Sequence, residues 1–309
     1  MYKNALKQRN TNQYSAFGQV VYQDFQRIKP YLALRIDSID SDVEAANIYP
    51  DGSMLSLQQQ ETRFFVSPKL GVNVMLTDTI NAHASSGLAF KPSGFSIANI
   101  NTNLSHYNQE TTWHNELGIT IEEMAGQLSL SFTGFYYAIT DYQIERYFTE
   151  FDYGIANAAK AHSYGFEAES EWRLNENLSL QTQIGYTQTR FDTYRDPITD
   201  ADYAGNMAPF IPETNGLLAL QYQHPQGYFA RAEWQFTGTT YFDDSNTALM
   251  RQNSYDLAHL RIGYEHKPFS AYAFVSNLGD NRYYTSKFLG VSGVPGEPRL
   301  IGVKLTVDF

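Results

Sequence analysis

The last ten residues, Leu300–Phe309, read LIGVKLTVDF and alternate without a break. Ile301, Val303, Leu305, Val307 and Phe309 fall on one face of an extended strand, and Gly302, Lys304, Thr306 and Asp308 on the other. Successive strand side chains point to opposite sides, so such a ribbon needs an apolar neighbour on one side only. A soluble sandwich and a membrane barrel both satisfy that need. The rest of the chain decides between them.

From Tyr14 onward one unit recurs: an alternating stretch, a tight polar turn, a second alternating stretch, then a long irregular connection. The pairs are Tyr14–Gln23 with Lys29–Asp37, Phe65–Leu76 with Ile80–Phe90, and Trp113–Glu122 with Gln127–Ile139. They continue as Ser163–Arg173 with Leu178–Phe191, Thr214–Gln223 with Tyr228–Thr239, and Tyr255–Glu265 with Ser270–Asn277. The closing strand stands alone. Turns such as Asn175-Glu176-Asn177 and His224-Pro225-Gln226-Gly227 carry the residues that hairpins favour.

The two faces differ consistently. Tyr164, Phe166, Ala168 and Trp172 oppose Glu167, Glu169, Glu171 and Arg173, while Tyr228, Ala230, Ala232, Trp234 and Phe236 oppose Arg231, Glu233, Gln235 and Thr237. Most stretches reach the ~9–11 residues that a tilted strand needs to cross a bilayer, whereas strands elsewhere are mostly about 5–6. Short turns also alternate with long loops, the latter including Ser38–Glu61, Lys91–Thr112, Asp192–Ile211 and Gly279–Glu297. That asymmetry describes an outer-membrane barrel. The fold class expected is an all-β, antiparallel transmembrane β-barrel, incomplete at about thirteen strands, where single-chain bacterial barrels use an even number. Tyr164, Leu180, Trp234, Ile262 and Leu305 are expected to lead the outward faces.

Composition agrees. Aromatic residues make up 15% of the chain, with 23 Tyr and 20 Phe, and amphipathic rings form the girdles of membrane barrels. A net charge of -11 excludes nucleic acid as a partner on bulk electrostatics. Cysteine is absent, so thiolate and disulfide chemistry are excluded. No run approaches the roughly 18 apolar residues of a membrane helix. Residues 1–13 are expected to be a disordered or loop-derived leader without signal-peptide features, and residues 14–309 the barrel portion.

Seven segments carry a family resemblance: FGQVVYQDF (Phe17–Phe25), VSPKLGVNVMLTD (Val66–Asp78), FKPSGF (Phe90–Phe95), ETTWHNELGI (Glu110–Ile119), SYGFEAESEW (Ser163–Trp172), NLGDNRYYTS (Asn277–Ser286) and GEPRLIGVKLTVDF (Gly296–Phe309). In this order and spacing the chain resembles the C-terminal barrel portion of a TonB-dependent outer-membrane receptor of the siderophore-receptor type. NMAPFIP (Asn206–Pro212) resembles the pesticin/yersiniabactin group. The resemblance implies a 22-stranded barrel with a plugged lumen, of which Tyr14–Gln23 would be the tenth strand, with the plug and TonB box missing.

It further implies residence in the outer membrane of a Gram-negative cell, contact with outer-membrane lipid, and uptake of a ferric siderophore or similar iron chelate. The TonB complex would be engaged only through the missing N-terminal part. No cofactor, resident metal or enzymatic activity is implied. Ile301, Val303, Leu305, Val307 and Phe309 resemble the signal that the outer-membrane assembly machinery reads. Alternatives are an inactive structural fragment, a receptor for cobalamin, haem or a glycan, or a barrel hydrolase with His106 as its candidate base.

Ligand contacts are sought in the long connections, where aromatic rings and cations can hold an anionic or catecholate complex. Tyr107, Tyr194, Arg195, Tyr203, Tyr241, Arg251, Tyr283 and Tyr284 are the candidates; loop packing is the plainer role for any single Tyr. The Glu167–Glu169–Glu171 column is expected to pair with Arg from neighbouring strands rather than to bind metal.

Overall fold

The computed structural model describes residues 4–48, 52–96, 105–123, 126–149, 152–157, 160–196, 199–288 and 292–307. Thirteen strands form one antiparallel sheet: β1 (Asn4–Val21), β2 (Ile28–Ile48), β3 (Met54–Met75), β4 (Ile80–Lys91), β5 (Glu110–Glu123), β6 (Leu128–Thr140), β7 (Lys160–Asn175), β8 (Leu178–Thr193), β9 (Thr214–Gln223), β10 (Tyr228–Thr237), β11 (Tyr255–His266), β12 (Phe269–Ser276) and β13 (Leu300–Val307). Each pairs with its sequence neighbour, so the sheet is an up-and-down wall with β1 and β13 at its two edges. Among the described residues there is no α-helix.

The registers make the two faces continuous across strands. Trp172 stands beside Leu128 and Leu180, Leu180 beside Leu220, Leu220 beside Ala232, and Ala232 beside Leu260. Further along, Ile262 meets Ala273, and Ala273 meets Val303. The expected outward rows therefore share one surface, on which Ile301, Val303 and Leu305 are 71%, 71% and 74% exposed. A contiguous apolar surface of this size is unusable in water and suits hydrocarbon. Rings mark its limits: Trp113, Tyr136, Tyr164 and Trp234 toward the long loops, and Tyr222, Tyr228, Tyr264 and Phe269 toward the short turns. At the loop border the ring polar atoms find outward partners, with Trp113 Nε1–H donating to Asn115 (3.2 Å) and Trp234 Nε1–H to Asp256 (3.1 Å).

The opposite face is polar and internally bonded. Glu116 accepts from Tyr137 Oη at 2.9 Å and lies 3.8 Å from Lys69 Nζ, while Arg231 holds Glu233 at 2.8 Å and reaches Gln181 and Gln221. Asp37, fully buried, accepts from Arg35, Ser15 and Gln13 and so ties β1 to β2. Glycine serves this wall at Gly165, where a Cβ would collide with the Tyr186 carbonyl and the Phe135 ring.

Three expectations change. The first strand begins at Asn4 rather than Tyr14, because Asn4–Gln13 finds a full antiparallel partner in Ile39–Ile48. Ser38–Glu61 is not an irregular loop: β2 and β3 run on through it as a paired ribbon, from Ser38↔Phe64 to Ile48↔Met54. Glu167, Glu169 and Glu171 pair with no Arg among the described residues. Their cross-strand neighbours are Thr133 and Gly185, Ser131 and Gln183, and Ser129 and Gln181, none of them basic. The flanking strands offer that row no cation: β6 has no Arg, and Arg190 of β8 lies on the opposite row and donates to the Gly205 carbonyl at 2.7 Å.

Candidate functional site

The long-connection end of the wall is where the candidate ligand residues gather. Its connections contain short ribbons: Gly94–Ser96 with Ser105–Tyr107, Gln143–Thr149 with Asp152–Asn157, Thr240–Tyr241 with Arg251–Gln252, and Tyr284–Phe288 with Ser292–Pro295. Each ribbon satisfies its own backbone groups, which would otherwise be left unpaired above the sheet.

A small apolar core binds these connections to the strands. Ile139, Ile144, Ala161, Phe191, Tyr194 and Ala208 form it, with Tyr142 and Tyr203 packed against it. The Tyr194 ring meets Phe191 edge-on at 4.9 Å and Tyr203 at 5.3 Å, and its hydroxyl donates to Asp244 at 3.0 Å. Asn246 locks two loops through one amide, accepting from Met207 N–H at 2.7 Å and donating to the Met207 carbonyl at 2.9 Å. Gln143 does the same lower down, donating to the carbonyls of Pro92 (2.8 Å) and Asn108 (2.9 Å). Asn277 donates to the carbonyls of Asn281 and Glu297 and accepts from Asn281 N–H, which fixes both ends of the last connection. Asn246 and Asn277 sit at positive φ (53° and 49°), a backbone conformation that Asn tolerates better than most residues.

The eight candidates separate by environment. Tyr107 and Tyr194 are buried, Tyr107 lying over Gly94. Tyr203 is half-buried against Tyr194. Tyr283 stacks on Tyr255 at 4.3 Å with the ring planes 16° apart. Arg195 is exposed and paired with Asp200 at 2.8 Å. Tyr241 is half-buried, and Arg251 and Tyr284 are exposed. The structure brings the last two together. Lys287 Nζ donates to the Arg251 carbonyl at 2.6 Å and lies 5.2 Å from the Tyr284 ring centroid, while Tyr284 N–H donates to Gln252 at 2.9 Å. Arg251, Lys287 and Tyr284 thus make one cationic, aromatic corner.

Electrostatics at this end favour protonated tyrosines and ionised acids. Burial, with Glu110 and Asp244 nearby, pushes the Tyr142 hydroxyl up to about 12. Burial and the adjacent Tyr255 raise Tyr283 as well. Neither phenol ionises at neutral pH, so neither offers a phenolate to a metal. Glu61, where the β2–β3 ribbon begins, is pushed up by burial, but the hydrogen bonds and charges of Arg63 and His106 outweigh that and hold it below the usual carboxylate range. His106 Nε2 lies 3.3 Å from Glu61, and its ring packs edge-on against Phe95. Among the described residues no three His, Asp or Glu side chains converge as a metal-holding set.

Sequence reasoning missed Gln143, Asp244, Asn246 and Asn277 as the clamps. NLGDN (Asn277–Asn281) reads only as a turn signal, and the readiness of Asn to take positive φ in turns is the one clue it offers. The apolar residues of the assembly signal, Ile301, Val303, Leu305 and Val307, lie on the outward face. Phe309 lies outside the described residues.

Known proteins share this architecture. A family profile described as TonB dependent receptor-like, beta-barrel, matches residues 3–278. The metal-pseudopaline receptor CntO of Pseudomonas aeruginosa (strain UCBPP-PA14) is 24% identical over 295 residues, covering 90% of this chain and 38% of the relative. The crystal structure of the ferric yersiniabactin uptake receptor FyuA from Yersinia pestis superposes with a TM-score of 0.84 at 22% identity, covering all of this chain (100%) and 47% of that one. The ferric-catecholate import receptor Fiu from K12 E. coli, in its closed form, gives 0.79 at 16% identity over 98% of this chain and 45% of that one. The chain thus spans less than half the length of these relatives. A two-faced wall of thirteen strands and a profile match over most of the chain agree: it belongs to the family of TonB-dependent receptor β-barrels, which are outer-membrane transport receptors and not enzymes.

Proposed function

We propose that this wall is part of an outer-membrane TonB-dependent receptor that takes up a metal chelate, a ferric siderophore or a similar anionic complex. The observation that carries this reading is the pairing of an apolar outer face with a polar inner face, capped at one end by clamped loops that present Arg251, Lys287 and Tyr284. Relatives with chelate cargoes, metal-pseudopaline and ferric yersiniabactin, support it. Arg251, Tyr284, Tyr241 and Arg195 are the contact residues in this reading, while Tyr107, Tyr194, Tyr203 and Tyr283 hold the loops that carry them. Iron is cargo here, and energy comes from the TonB complex through parts of the receptor outside this chain. The outward row Ile301, Val303, Leu305 and Val307, together with the Phe309 that closes the sequence, is what the assembly machinery reads in this proposal.

An open sheet edge in lipid leaves backbone groups unpaired, at several kcal/mol for each. Transport therefore belongs to a barrel closed by further strands. The test is uptake of a radiolabelled ferric chelate by metal-starved cells that depend on the complete receptor. Replacing Arg251 and Lys287 together with Ala is expected to weaken chelate binding about tenfold or more. Unchanged binding and uptake would remove this corner from the ligand path.

A further inference from the structure

Two hollows interrupt the outward apolar face. Both arise because small side chains lie side by side there while larger neighbours stand around them. One, of about 610 Å³, is walled by Leu117, Phe132 and Tyr136 around Ala82 and Gly134. The other, of about 590 Å³, lies next to the short-turn border: Ala230, Ala271 and Ala273 form its floor, and Ile262, Tyr228 and Tyr264 rise around it. Both volumes fall in the usual range for small-molecule sites. Their rims differ, and that difference is informative.

The rim of the first hollow ends in neutral groups, Asn115 and Tyr136. The rim of the second is a run of rings, His224, Tyr228, Tyr264 and His266, with successive centroids 6.2, 4.9 and 6.1 Å apart. Nδ1 of His224 is engaged by the Gln226 N–H at 3.2 Å, and Nδ1 of His266 by the Lys267 carbonyl at 3.1 Å. His224, whose Nδ1 accepts, therefore presents Nε2–H as a donor to an outside partner, whereas His266, whose Nδ1–H donates to that carbonyl, presents Nε2 as an acceptor. Lys267 is exposed in the adjoining turn. Among the described residues no acidic side chain stands on the outward rows of β9 to β13 at this end. An apolar trough inside the bilayer thus opens onto a cationic, hydrogen-bond-donating border.

We propose that this hollow is a binding site for an anionic phospholipid of the periplasmic leaflet, with an acyl chain over Ala230, Ala271 and Ala273 and the phosphate reaching Lys267 and His224. The proposal rests on the outward face being the lipid face. Basic residues beside a membrane border attract anionic headgroups, and Lys can lay its stem along apolar surface while its charge stays at the interface. The first hollow accepts a chain without choosing a headgroup.

The test is native mass spectrometry of the complete receptor in detergent micelles with equimolar phosphatidylglycerol and phosphatidylcholine. Phosphatidylglycerol is expected to be retained roughly tenfold more. Ala273→Phe fills the hollow and should lower retention of both lipids. Lys267→Glu, at an exposed turn where folding is not at stake, should abolish the preference while leaving phosphatidylcholine binding in place. Ala82→Phe in the other hollow should leave the preference unchanged, and the strand signal in circular dichroism confirms that each variant is folded. Equal retention of the two lipids, or a preference that survives Ala273→Phe, overturns the proposal. Chelate uptake reports on the opposite end of the wall and is not expected to move in any of these variants, so failure here is distinguishable from failure of the transport reading.

Discussion

The two ends of the sheet solve the same crossing with very different strands. β1, β2 and β3 have 18, 21 and 22 residues, whereas β9, β10, β12 and β13 have 10, 10, 8 and 8. A bilayer crossing needs only about 9–11. The outward row of β2 shows where the surplus goes, since Ile28, Leu32, Leu34 and Ile36 give way to Asp40, Asp42 and Glu44. The long strands leave the membrane and continue as a ribbon in water. The short ones stop at the ring border and hand over to loops, which must then build their own core. The membrane boundary is read from the change of chemistry along a row, not from strand length.

This contrast can be broken by mutation. Phe191, 1% exposed, anchors the loop core that the short-strand region depends on, so Phe191→Ala is expected to cost about 3–5 kcal/mol in denaturant unfolding. Placing a charge inside the bilayer at the outward Ile184, by Ile184→Lys, should cost about 2–4 kcal/mol in vesicle-embedded protein. If the β2 row has left the membrane, Asp42→Lys on the same outward face should stay within about 0.5 kcal/mol. A large cost there would put the ribbon back in lipid.

A pH titration sharpens the same point from the ribbon side. The depressed Glu61 carboxyl contributes stability that is fully present above its unfolded-state value near 4.3 and is lost as pH falls through its lower folded value. Proteolytic protection of the ribbon should decline in acid below about pH 4, and Glu61→Gln should flatten that decline.

Strand positions and facing were legible because each crossing keeps an apolar row against a polar one. Thirteen strands and their outward rows follow from that pattern alone. The ribbon was legible only in its middle strand. In β2 the alternation persists, with Ile39, Val43 and Ala45 against Asp40, Asp42 and Glu44, but its partners Lys7–Gln13 and Gln58–Glu61 are polar on both faces and leave no period-two trace. The loop site was readable only as residue types. Residue type alone does not distinguish the buried Tyr194 from the exposed Tyr284, because burial of Tyr194 is completed by Ile139, Ala161 and Asp244, far from it in sequence. The Glu167 expectation failed because register decides which residues face the column, and neither flanking strand places an Arg opposite it.

Direction of travel carries one further consequence. Every neighbouring pair in the sheet is antiparallel, so the polypeptide reverses at each step, and after twelve reversals β13 points the same way as β1. Those two margins cannot zip to each other in the pattern used everywhere else. Only an odd number of intervening staves restores the alternation and seals the cylinder.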